Sequence, residues 1–170
     1  MNKIYIFKGE CDHYAFIKQK AAEKYNNTEI IKTEKGKPYF KAIPNLFFSV
    51  SHTDGLTVIA LGNSEVGIDV ERVKKADLRI IKRFLKEEAD YITEKDSNRR
   101  FFEIWTKKEA YIKQRGLNIS HLSLFDVTSE NLKNKFITYV KYSFFLSAIA
   151  EASISLKIIH LKKEHLSILQ

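Results

Sequence analysis

The sequence predicts an α+β fold built as two lobes side by side. Two observations carry this. Each half of the 170-residue chain gives helical periodicity followed or preceded by strand alternation. No Gly-, Pro- or Ser-rich linker, low-complexity segment or repeat of solenoid length separates the halves. The length suits one compact domain, or two small lobes sharing a core.

In the first half, Lys3–Phe7 reads as a strand, Asp12–Tyr25 as a helix and Thr28–Thr33 as an extended segment. "EKGKPYF" reads as a turn and an extended crossing, and strands follow at Leu46–Ser51, Leu56–Leu61 and Val66–Val70. In the second half Asp77 is a candidate N-cap for a helix to Leu85, with Leu78, Ile81 and Leu85 at helical spacing. A short helix at Glu87–Thr93 precedes a longer one over Ser97–Gln114, which stops at Gly116, a natural C′ residue. "FITYVKY", "FFLSAIA" and "SISLKII" then alternate as strands. The expected lobes run over about residues 1–72 and 73–170.

Composition narrows the function classes. One cysteine, Cys11, allows no internal disulfide and fits a reducing, cytoplasmic setting. The first ten residues, "MNKIYIFKGE", lack the apolar core and cleavage site of a signal peptide. The most apolar region, Tyr142–Leu161, is interrupted by Glu151 and Lys157 and reads as two strands, not a membrane span. A net charge of +8 favours anionic partners, whether nucleic acid, phosphorylated ligand or acidic protein.

Two stretches carry the chemistry. In "VGIDVE", Val66 to Glu71, Asp69 and Glu71 point to one face of a strand, about 7 Å apart along it, while Ile68 and Val70 point to the other. Like charges so placed repel and destabilise a sheet unless something neutralises them. Gly67 is expected to leave room for a ligand's approach. In "FFEIWTKKEAYIKQRG", Phe102, Trp105, Glu109 and Lys113 share one helical stripe. Facing water, Glu109 and Lys113 would be an ordinary i,i+4 pair worth about 0.3–0.5 kcal/mol. On an aromatic face packed against a sheet, the carboxylate needs a partner. Together, Asp69, Glu71 and Glu109 would cage a hard divalent cation; Mg²⁺ takes about six oxygens and keeps waters and substrate phosphates among them. One cysteine and five scattered histidines give no zinc spacing.

"FSVSHTDG" places Ser51 and His52 at a strand end without the Gly-x-Ser-x-Gly elbow of a serine hydrolase. Hydroxyl, imidazole and Lys37 of "GKP" could together hold a phosphate. Nothing matches a Walker A loop or a dinucleotide fingerprint.

In their order, "GKP" (36–38), "FSVSH" (48–52), "VGIDVE" (66–71), "FLKEE" (84–88) and "WTKKEAYIK" (105–113) resemble the motifs of the surfactin-type 4′-phosphopantetheinyl transferases. That resemblance implies two pseudo-symmetric α+β lobes with the active site in the cleft between them. It implies transfer of the phosphopantetheine arm of coenzyme A to a serine of an acyl or peptidyl carrier protein, releasing adenosine 3′,5′-bisphosphate. Mg²⁺ would be held by Asp69, Glu71 and Glu109. Glu109 would be the base for the carrier serine, and Lys113 would neutralise charge building on the pyrophosphate. Lys37, Pro38, Ser51, His52, Lys108 and Lys113 would contact coenzyme A, and Glu88 matches an acid of the family pattern. The expected partners are coenzyme A and an acidic carrier, with no nucleic acid or membrane, and a monomeric state. The alternative is a catalytically idle relative that binds coenzyme A or carriers. A nucleic-acid-binding module is disfavoured, because three convergent acids repel a phosphate backbone.

Overall fold

A computed structural model describes residues 2–9, 11–141 and 143–151, together with the backbone of 157–161. The chain is a mixed α+β protein. Its strands are β1 (Lys3–Lys8), β2 (Ile30–Lys32), β3 (Pro38–Phe40), β4 (Phe47–Thr53), β5 (Leu56–Gly62), β6 (Val66–Arg72), β7 (Phe136–Lys141), β8 (Phe144–Ala150) and β9 (Lys157–Leu161). Its helices are α1 (His13–Ala22), α2 (Lys86–Glu94), α3 (Ser97–Arg115) and α4 (Glu130–Lys133). Among the described residues, no helix is long and apolar enough to cross a membrane.

The strands form a four-stranded sheet in the order β4-β5-β1-β9, a three-stranded sheet in the order β6-β8-β7, and a small β2-β3 ladder. The two larger sheets pack face to face. Ile4, Ile6, Val58 and Ala60 of the first meet Val66, Ile68, Val70, Leu146, Ala148 and Ala150 of the second in one apolar layer. Beneath the first sheet, Phe16, Ile17 and Ala21 of α1 pack on Tyr5, Phe7 and Ile59. On the far side of the second, α2, α3 and two 3₁₀ turns enclose an aromatic-rich cluster that includes Phe84, Phe101, Phe102 and Phe145.

The sheets correct the expected lobe boundary near residue 72. β6 pairs with β8 and so belongs to the second sheet, while β9 crosses back to pair in parallel with β1. The expected helix from Asp77 is instead a 3₁₀ turn over Leu78–Arg83, capped by Asp77, which accepts from the Arg79 N–H at 3.1 Å. Only Ile81 of that turn is buried, so little packing favours extension into α-helix. Of "SISLKII", residues 153–156 lie outside the described residues.

Candidate active site

β4 and β6 are edge strands of their own sheets, and they meet along those edges through side chains. The Ser49 hydroxyl accepts from the Ile68 N–H at 3.1 Å, and the Ser51 hydroxyl donates to Asp69 Oδ1 at 2.7 Å. β6 is covered on both faces. Val66, Ile68 and Val70 enter the core between the sheets, leaving Gly67, Asp69 and Glu71 on the face toward α3.

Gly67 is what lets α3 close on that face. A Cβ there would lie 1.9 Å from the Ala110 carbonyl oxygen and 2.7 Å from the Gln114 nitrogen. The glycine therefore makes room for a helix backbone, which corrects the expectation that it makes room for a ligand. The helix surface against the sheet is small or polar: Thr106 shares a 2.8 Å hydrogen bond with Ser147, Ala110 sits over Gly67, and the Gln114 amide donates to the Glu65 carbonyl at 3.1 Å. Glu109 and Lys113 lie one step round the helix and so come up beside Asp69. Lys113 Nζ donates to Asp69 Oδ1 at 2.7 Å.

The electrostatics of the three acids are coupled. Burial pushes the Glu109 carboxyl above its ordinary range, with the Asp69 and Glu71 charges adding to the effect and Lys113 opposing it. Burial and then Asp69 push Glu71 up in the same way, against hydrogen bonding from Trp105 and the charges of Lys74 and Lys113. Asp69 Oδ2 and Glu109 Oε1 are both buried without a hydrogen-bond partner. Among the described residues the acids do not stand as a ready-made metal cage; Asp69 Oδ1 is taken by Ser51 and Lys113 instead. Two orphaned carboxylate oxygens, all-oxygen donors and mutual repulsion nevertheless fit a hard divalent cation and no thiolate- or imidazole-preferring metal.

Because the Glu109 pKa is raised in the folded state, ionising it costs stability. The cost is absent below the unfolded carboxylate range and complete once pH exceeds the raised value. Glu109→Gln is therefore expected to melt above the wild type at pH 8 without metal, an advantage that shrinks toward pH 4. Paired thermal melts across that range measure it.

In front of these groups lies a cleft of about 340 Å³. Its walls come from both parts of the molecule: Lys37 from the turn before β3 and Pro38 at its start, Ser49 and His52 from β4, Lys113 and Leu117 from the end of α3 and beyond. Lys37 spans it, its ammonium donating to Glu65 and to the Gln114 carbonyl. The structure thus gathers Lys37, Pro38, His52 and Lys113 around one cleft, and Lys113 joins it to Asp69; Asp69, Glu71 and Glu109 are not among its lining residues. Ser51 is buried behind it, and its hydroxyl is committed to Asp69.

Lys108 is not part of the cleft lining, which corrects its placement among the coenzyme A contacts. It is fully buried. Its ammonium pairs with Glu88 at 2.8 Å and donates to the Leu122 and Phe125 carbonyls at 2.6 and 2.8 Å. Glu88 also accepts from the N–H groups of Leu85 and Val127. Burial pushes Glu88 up and Lys108 down, and their mutual hydrogen bond pulls both back. The pair fastens the 119–127 segment to α2 and α3, so the acid of "FLKEE" is structural here. Lys108→Met strands a buried carboxylate and is expected to cost about 3–5 kcal/mol in urea unfolding, most of it recovered in Lys108→Met/Glu88→Leu.

Sequence reasoning missed Ser49, Glu65 and Gln114, which register β4, β6 and α3, and His13, which joins His52 in lining the cleft. Only the side-chain positions of the folded chain connect these.

A sequence model of the 4′-phosphopantetheinyl transferase superfamily (ACPS) matches residues 65–167, more than half of the chain. The chain belongs to the 4′-phosphopantetheinyl transferase superfamily. Similar proteins include the 4′-phosphopantetheinyl transferase gsp of Aneurinibacillus migulanus, 40% identical over 89 residues, which are 50% of this chain and 37% of gsp. The transferase psf-1 of Bacillus pumilus is 38% identical over 97 residues, 54% of this chain and 42% of psf-1. Sfp of Bacillus subtilis (strain 168) is 35% identical over 91 residues, 51% of this chain and 41% of Sfp. The chain spans about two fifths of the length of these phosphopantetheinyl transferases.

Proposed function

We propose that the protein transfers the 4′-phosphopantetheine arm of coenzyme A to a serine hydroxyl of an apo acyl or peptidyl carrier protein, with Mg²⁺, releasing adenosine 3′,5′-bisphosphate. One observation carries the reading: two partnerless buried oxygens, Asp69 Oδ2 and Glu109 Oε1, stand beside Lys113, which itself lines a cleft walled by "GKP" and by Ser49, Val50 and His52.

Asp69, Glu71 and Glu109 would hold the Mg²⁺, whose charge would offset the negative charge that builds on the pyrophosphate during transfer. The chain's own groups do the rest. The carrier serine oxygen attacks the phosphorus that bears the pantetheine arm, and the bond from that phosphorus to the bridging oxygen breaks. Glu109 takes the serine proton, a role worth about 10²–10⁴ in rate for a well-placed group. Lys113, partly exposed at the cleft, offers its ammonium to the departing bisphosphate. Ser51 keeps Asp69 in place. Lys37 and His52 border the nucleotide end, and the charge of +8 draws acidic carriers in.

Incubation with coenzyme A, Mg²⁺ and an apo carrier, followed by mass spectrometry of the carrier, tests this. The expected result is a gain of one phosphopantetheine arm that EDTA abolishes. No gain across several acyl and peptidyl carriers, with magnesium present, overturns it.

A further inference from the structure

Glu65 stands in the turn between β5 and β6, one residue before "VGIDVE", and its carboxylate has no part in the transfer chemistry. Its main chain is in use. The Glu65 carbonyl accepts from the Gln114 side-chain amide and from the Glu151 N–H, each at 3.1 Å, and so ties the turn to α3 and to the end of β8. The carboxylate is not needed for those bonds and pairs instead with Lys37. Lys37 is fixed at its base as well. Its N–H donates to the Thr33 hydroxyl at 3.1 Å and its carbonyl accepts from the Thr33 N–H at 2.9 Å, which closes the turn before β3. Two pinned main chains thus bring one ammonium and one carboxylate together. Lys37 lines the cleft and Glu65 is not among its lining residues, so a ligand there meets the ammonium and not the acid.

This pair differs in kind from the buried one. Lys108 and Glu88 are both fully buried, so neither can exchange its partner for water or a ligand. The Lys37 and Glu65 side chains are 20% and 36% exposed. A pair so exposed is held weakly, because water competes for both charges. A phosphate, with more acceptor oxygens and more negative charge, can take the ammonium from a carboxylate. Glu65 opposes that exchange twice over, since it occupies a donor of Lys37 and repels the incoming anion. The Gln114 carbonyl, which also accepts from Lys37, is neutral and adds no such repulsion.

We propose that Glu65 is a positioning residue that holds Lys37 and competes for it with a phosphate of the nucleotide ligand, so that the cleft releases the bisphosphate readily after transfer. The proposal rests on the coenzyme A reading above. It adds to that reading a residue outside the cleft lining, which acts on the ligand only through Lys37.

Glu65→Gln removes the charge alone, because an amide oxygen still accepts from Lys37 and the main-chain bonds to Gln114 and Glu151 remain. Calorimetry with adenosine 3′,5′-bisphosphate reads the role without turnover. Glu65→Gln is expected to bind about fivefold more tightly than wild type at about 0.05 M salt, with a smaller gain at about 0.5 M. Glu65→Ala should move in the same direction, and melting curves check that each variant folds. In a Lys37→Met background, Glu65→Gln should change affinity by less than about twofold, since the acid acts through that ammonium. Weaker or unchanged binding by Glu65→Gln overturns the proposal. An equal gain with and without Lys37, or a gain that salt leaves untouched, overturns it too. If the gain appears as expected yet wild type modifies no carrier, the transfer reading fails while the role of Glu65 stands. A wild type that modifies carriers, with no gain in Glu65→Gln, gives the reverse. Binding of the bisphosphate by neither protein overturns the role of Glu65 whatever the carrier assay shows.

Discussion

Asp69→Ala is expected to reduce carrier modification by at least about 10²–10³-fold, the scale seen when one preorganised charge-stabilising group is removed from a transfer site. Its stability should move by only about 1 kcal/mol. Two opposed effects set that small figure. Removing the carboxylate leaves the buried Ser51 hydroxyl without its acceptor and Lys113 without its counter-ion. The ammonium of Lys113 is partly exposed and can turn to water, so its loss is mild. Against this, Glu71 and Glu109 lose the nearby charge that pushes both of them up. Asp69→Asn sharpens the test, because an amide oxygen can still accept from Ser51 while the charge is gone. Equal failure of both variants in the carrier assay, with melting temperatures near wild type, means the charge matters and the scaffold does not depend on it. A variant that keeps near-wild-type transfer removes Asp69 from the chemistry.

Local pattern made much of the fold legible. Alternation marked β1, β4, β5 and β6 within a residue or two, and the aromatic-rich periodic run ending in glycine marked α3, whose Gly116 adopts φ 61° as a C-cap. What pattern could not give was pairing. β6 follows β5 immediately in sequence, so counting it with the first lobe was natural; its hydrogen bonds go to β8, nearly 80 residues on. The acids were legible for a physical reason: like charges two apart in an otherwise apolar strand are unfavourable without a function. Lys108 was misplaced for a physical reason too. One helical step separates it from Glu109, yet that step turns its side chain away from the cleft and into a pocket of carbonyls and aromatic rings. Sequence spacing puts a lysine near a site, but burial decides whether it faces the site or the core.

Gly67→Ala is expected to be strongly damaging, reducing both stability and transfer. The added Cβ would meet the Ala110 carbonyl oxygen and the Gln114 nitrogen, both main-chain atoms of α3, at 1.9 and 2.7 Å. No rotamer change relieves a clash with backbone, so the helix must back away by more than about 1 Å to reach ordinary contact. That movement opens the seam that Thr106–Ser147 and Gln114–Glu65 hold closed, and overpacking of this kind costs about 1–3 kcal/mol or more. It also carries Glu109 and Lys113 away from Asp69, and a displacement near 1 Å is enough to cost about 10²-fold in rate. The role of the glycine is decided by where the loss is read. A glycine that only admitted a ligand would leave the ligand-free melt unchanged and raise the KM for coenzyme A. A glycine that seats α3 lowers the melting temperature before any ligand is added and lowers kcat afterward, and this second outcome is the one expected. Ala110→Gly offers the contrast: it removes a side chain but not the carbonyl that the new methyl would strike, so in the Gly67→Ala background it should rescue neither quantity.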